Sequence, residues 1–128
     1  MTYNILDDAK RNRNYNNDNG YASPDCDKYT VEGDWKGGAD SWYRLEEPAG
    51  TSMADSIVPE KHCGTQAPGW LKGAHPAVLG EKVIRDVCFN WGGTSCSWKS
   101  QVKIKNCGGF YLYKLKPTPH CLLKYCGQ

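Results

Sequence analysis

The sequence predicts a small disulfide-rich, mainly β domain, made of short antiparallel strands and hairpins with long loops and little helix. Three observations carry that expectation. Seven cysteines are spread over 128 residues with no CxxC pair, which favours disulfides in an oxidising compartment over a zinc ribbon or a thioredoxin-like site. Fourteen glycines and seven prolines interrupt the chain too often for long helices. "QVKIK" (101–105) alternates strictly, "NCGG" turns, and "FYLYKLK" (110–116) returns, which reads as a β-hairpin with Val102 and Ile104 inward and Lys103 and Lys105 in water.

In chain order, residues 1–41 are polar. "RNRNYNNDNGYASPD" has almost no apolar periodicity and reads as loop or short hairpin. Residues 42–128 form the cysteine-framework core of what is read as a single domain, 1–128. The length suffices to bury roughly two-thirds of the unfolded surface. "WYRLEE" (42–47) is a strand closed by "PAGT". "APGWLKGAHP" (67–76), bounded by Pro and Gly, is expected to be a loop or one helical turn. "EKVIRDVC" (81–88) leans to strand. No stretch of 18 apolar residues occurs, so no membrane insertion is expected. The N-terminus shows no basic-then-apolar leader, so Met1 reads as the start of a mature or trimmed chain.

Charge is unevenly distributed. Residues 1–60 hold 12 acidic and 6 basic side chains, residues 61–128 hold 2 and 10. The lysines of the basic half sit at alternating strand positions, which reads as a solvated sheet face and not as a nucleic-acid site. The acidic half offers the oxygens that calcium takes. "NNDNG" (16–20), with Asp18, joins Asp25, Asp27, Asp34 and Asp40 as candidate Ca2+ ligands. No EF-hand spacing is present, so such a site would be built from several loops; a solvated acidic loop is the alternative.

Catalysis is not expected. His62 and His120 adjoin Cys63 and Cys121, but bonded cysteines supply no thiolate. Neighbouring strand residues also face opposite ways, so neither pair suits one zinc ion. Glu46 and Glu47 diverge for the same reason and make a poor acid–base pair.

Most of the five tryptophans read as core. Trp91 and Trp98 flank Cys96 as rings packed on a disulfide do, Trp70 joins them, and Trp42 opens a strand half-buried. Trp35 differs. In "DWKGGADSW" (34–42) it has Gly33, Gly37 and Gly38 around it and Val31 as its only apolar neighbour. Packing and binding stay open for it on these grounds.

The motifs "GYA…CD", "WYRL…GTSM", "HCGTQAPGWLKGAHPA", "VCFNWGG…C.W", "VKIKNCGGFYLYKL" and "PHCLLKYC" run through nearly the whole chain. On them the sequence resembles the eight-cysteine domain of uromodulin and the related pancreatic zymogen-granule glycoprotein. The resemblance implies a secreted module with bridges Cys26–Cys121, Cys63–Cys126 and Cys88–Cys96. It leaves Cys107 alone, its usual partner falling at or before Met1, and so implies either an interchain bond in a disulfide-linked homodimer or an upstream partner. The family's fourth bridge joins the positions of Ile57 and Ser95, neither a cysteine here. Lys72 replaces the family's glycosylated asparagine, and no N-x-S/T remains. Presentation of N-glycans as bacterial decoys therefore does not carry over.

Against the same pattern this chain inserts about nine residues between Cys26 and Trp42, and "DWKGGADSW" lies largely inside the insertion. A tryptophan face suits the C–H patch of a pyranose, while carboxylates, amides or a bound Ca2+ take its hydroxyls. Trp35, Asp34, Lys36 and Asp40 are thus the candidate sugar contacts. Glu46 and Glu47, at the head of "EEPAGTSMAD", form a second candidate segment. A stand-alone module of this kind also resembles the calcium-dependent, galactose-binding lectins of sea anemones. The expectation is a secreted, dimeric lectin for glycans with terminal galactose. The alternative is a non-catalytic extracellular interaction module excised from a larger uromodulin-like protein.

Overall fold

The computed structural model describes residues 2–16, 26–27, 41–119 and 123–128. Its strands are β1 (Asn4–Leu6), β2 (Ser41–Leu45), β3 (Ala67–Lys72), β4 (Lys82–Trp91), β5 (Thr94–Asn106), β6 (Tyr111–Leu115) and β7 (Leu123–Tyr125). They form one sheet in the order β1-β2-β6-β5-β4-β3-β7. The outermost pairs, β1–β2 and β3–β7, are parallel and the rest antiparallel. The mainly β, disulfide-containing class is as the sequence predicts. Helix is limited, among the described residues, to one 3-10 turn at Ala9–Arg11. No helix there is long and apolar enough to cross a membrane.

The centre is the meander β4–β5–β6, where sequence and structure agree best. Alternation puts Val102 and Ile104 on the inner face at 1% and 0% exposure. The β4–β5 connection is Gly92–Gly93, both at positive φ (66° and 80°) between the paired Trp91 and Thr94. A two-residue hairpin loop favours this backbone because its twist matches the strands.

Tyr43, Leu45, Val87, Phe89, Tyr113 and Leu115 join Val102 and Ile104 in the core, and Ala49 and Met53 from the β2–β3 connection cover it. Trp91 and Trp98 pack on its margin. Trp70 lies on a smaller cluster around Cys63 and Cys126, its Nε1 donating to Ser95 O at 2.9 Å.

Two expectations fail. "APGWLK" is a strand, not a loop or helical turn. Pro68 precedes the β4 ladder, which starts at Gly69. Gly69 is needed because a Cβ there would lie 2.7 Å from the Phe89 ring and 2.9 Å from Lys124 O. The polar first segment, in turn, is not merely loop or hairpin: β1 adds to the sheet edge in parallel with β2, and Arg11 is fully buried.

Disulfides Cys63–Cys126 and Cys88–Cys96 are present. In the chain-entropy account, loops of 63 and 8 residues correspond to about 4 and 2.5 kcal/mol of stabilisation. Cys26 is also disulfide-bonded, and Cys121 lies outside the described residues. Without the bridge at Ile57 and Ser95, the Ile57–Val58 segment is still fastened to β4, since Asn90 Nδ2 donates to Val58 O at 2.9 Å.

Candidate functional site

The insertion leaves the described body at Asp27 and re-enters it at Ser41, and both points are fixed from below. Asp8 caps the 3-10 turn by accepting from Lys10 N at 2.9 Å. The turn delivers Arg11 inward. Its Nη1 and Nη2 donate to Asp27 Oδ2 and Oδ1 at 2.7 and 3.1 Å, and Nη1 also donates to Tyr125 O. Asp27 further accepts from Tyr125 N at 2.9 Å, its own N–H donates to Leu123 O, and its carbonyl accepts from Thr118 N. Ser41 pairs with Leu115 in the ladder. Both ends of the insertion are therefore held beside residues 115–118, at the C-terminal end of β6.

Tyr125 extends this base. Its hydroxyl donates to Lys116 O at 2.8 Å and lies 2.9 Å from Ser100 Oγ. Burial pushes its phenol well above the ordinary value of 10.0.

The base corrects one expected metal ligand. Asp27 is 1% exposed and both its oxygens face Arg11, so it serves the fold and not an open calcium site. Among the described residues no group of three or more His, Cys, Asp or Glu side chains is arranged to hold a metal. Asp18, Asp25, Asp34, Asp40, Trp35 and Lys36 all lie outside the described residues.

Glu46 and Glu47 sit at the other end of β2. Glu46 lies five positions beyond Ser41, roughly 16 Å of extended chain. Glu46 Oε2 is 3.4 Å from Arg44 Nε, and Arg44 itself stacks over Phe110 at 4.0 Å. The two glutamates are thus not gathered with the insertion's anchor points.

A second polar cluster went unread in the sequence. His75, on the β3–β4 connection, packs on Tyr111 with ring centres 4.6 Å apart. Met53 N donates to the Tyr113 hydroxyl at 2.8 Å, and that hydroxyl lies 2.9 Å from His75 Nε2. His75 Nδ1 faces Asp55 Oδ2 at 3.6 Å. Burial lowers the His75 pKa below 6.5, with the Asp55 carboxylate opposing. Burial also pushes the Tyr113 phenol far up, so the cluster has the look of a relay but no accessible nucleophile.

Cys107 is a free thiol, half-buried in the β5–β6 turn. The remaining surface of note is the outer face of β4, β5 and β6, where lysines line two shallow hollows of about 210 and 370 Å³.

The framework matches a known family. The model described as "Uromodulin-like, D8C domain" covers residues 43–127. This chain belongs to that family. The chain is 38% identical over 127 residues to pancreatic secretory granule membrane major glycoprotein GP2 of Canis lupus familiaris, an alignment that takes in 98% of this chain and 22% of the relative. Uromodulin of Mus musculus is 41% identical over 90 residues, 70% of this chain and 14% of that protein. The human GP2 glycoprotein is 36% identical over 127 residues, again 98% of this chain and 21% of the relative. The chain therefore spans only about a fifth or less of these relatives' length. The family match begins inside β2, so Arg11, Asp27 and the insertion precede it.

Proposed function

We propose that this protein is a secreted carbohydrate-binding protein whose sugar-contacting segment is the insertion between Asp27 and Ser41. One observation supports it most: Arg11, Leu123, Tyr125 and Thr118 hold Asp27 while the ladder holds Ser41. Binding residues concentrate on loops carried by rigid scaffolds. Trp35 is the proposed platform for the sugar ring, with Asp34, Lys36 and Asp40 contacting hydroxyls. The ligand class is a glycan with terminal galactose. Ca2+ is proposed to enter through Asp18, Asp25, Asp34 and Asp40, since Asp27 is committed to Arg11.

The reading is non-catalytic. Cys63, beside His62, is bonded to Cys126, and Tyr113 is a buried phenol. Dimerisation through Cys107 would make the protein bivalent, and linked weak sites gain avidity. Haemagglutination inhibited by galactose and abolished by EDTA is the expected result. Sugar binding that survives exhaustive chelation removes calcium, and no binding to any neutral glycan removes the lectin reading. The second reading, a protein-interaction module, draws on the relatives, of whose length this chain covers 22% and 14%.

A further inference from the structure

We infer that the outer face of β4, β5 and β6 docks a sulfated polysaccharide. The ladder fixes which side chains share that face. Lys103 lies opposite Lys114 on one side and Ile84 on the other, and Lys105 lies opposite Lys82. Lys99 and Lys116 extend the row along the hollows. Like charges directly opposite across a sheet are destabilising, and here two such pairs stand side by side. Asp86 is the sole carboxylate in the three strands, and among the described residues none of these six lysines makes an ion pair. Asp86, which lines the second hollow beside Lys99 and Lys116, offsets this repulsion only in part. An external polyanion removes it.

The shape favours one class of polyanion. The two hollows share Gln101 and Lys116, so they form one continuous shallow trough. Ammonium groups spaced about 5 Å across strands and about 7 Å along them suit charges repeated on a stiff, extended chain. Nucleic-acid single strands need several rings to stack on; the outward positions of β4, β5 and β6 offer none, and Trp42 of β2, opposite Lys114, is half-buried. A protein partner needs an apolar centre, and Ile84, 57% exposed, is the one exposed large hydrophobic residue on these strands. The trough ends at Lys116 and Pro117, beside the residues that anchor the insertion. The inference takes its ligand class, carbohydrate, from the proposed function but does not depend on Trp35.

The test is binding of the whole chain to immobilised heparin across a salt series. Each phosphate-type contact contributes about 0.7–0.9 to the slope of log affinity against log salt. The combined variant Lys103→Gln, Lys114→Gln, Lys116→Gln is therefore expected to lose about two units of slope, bind at least tenfold more weakly at physiological salt, and melt no lower than the parent. Lys10→Gln, an exposed lysine off the sheet, should bind as the parent does. An unchanged slope in the triple variant overturns the proposal, as does equal binding to desulfated heparin. Equal competition by single-stranded DNA of matched charge overturns the choice of polysaccharide. Trp35→Ala, assayed beside these, separates the two readings. Retained heparin binding with no galactoside binding by any form leaves this surface standing and removes the first reading.

Discussion

Arg11 and Asp27 meet through two parallel hydrogen bonds of 2.7 and 3.1 Å in a site where neither is more than 1% exposed. Removing the guanidinium leaves a buried, uncompensated carboxylate, a change of roughly 3–5 kcal/mol in comparable pairs. Arg11→Met should therefore lower unfolding stability by that order in urea titrations. A loss below about 1 kcal/mol would mean that the pair is solvated and that the insertion's base is soft.

Trp35→Ala should abolish glycan binding while the melting temperature stays near the parent's. A core tryptophan behaves oppositely, with truncation removing roughly 3–5 kcal/mol. Calorimetric melting of the variant beside a glycan-binding assay decides between them, and a large drop in melting temperature shifts the search to Glu46, Glu47 and the segment after them.

His75 gives the fold a pH dependence whose sign is set. Burial keeps its folded-state pKa below 6.5, against the opposing pull of Asp55, so the unfolded chain binds the proton first. Stability is full above 6.5, declines as pH falls through that value, and stops declining once the folded-state pKa is passed. His75→Gln should flatten this decline in urea titrations between about pH 8 and 5. A parent and variant with parallel profiles would place the titration elsewhere.

Cys107 should link two copies. The parent is expected to run as a dimer on non-reducing gels and as a monomer after reduction, with Cys107→Ser a monomer throughout. A monomeric parent with one alkylatable thiol sinks the covalent dimer.

How far the sequence could be read depended on whether the deciding contacts were local. Val102 and Ile104 announce their face by alternation, and Gly92–Gly93 is a turn signal in plain view. The Pro and Gly of "APGWLK" also read as a break, yet a strand forms because neighbours on both sides supply its ladders. Arg11 and Asp27 carried no such sign. They stand sixteen positions apart in polar, aperiodic sequence, where a buried ion pair looks like two solvated charges. His75 and Tyr113 are likewise joined only by the fold, across a separation of 38 residues. Trp35 stands out in the sequence for its glycine neighbours, and it lies outside the described residues.

The order of strands also sets an order of assembly. β4, β5 and β6 are joined by short turns, so their pairing closes small loops and forms early. The Cys88–Cys96 bond spans only 8 residues of the same unit. By contrast β2 must find β6, β7 must find β3, and Cys63 must find Cys126 across 63 residues. Oxidative refolding should therefore pass through a one-bridge intermediate in which the lysine-bearing meander is already native while β1, β2 and β7 are still unpaired. The edges of that intermediate are bare strands, the form of a β protein most open to pairing with its neighbours. Yield on refolding will thus depend on how fast Arg11 reaches Asp27 and Tyr125 to lock the far edges in place.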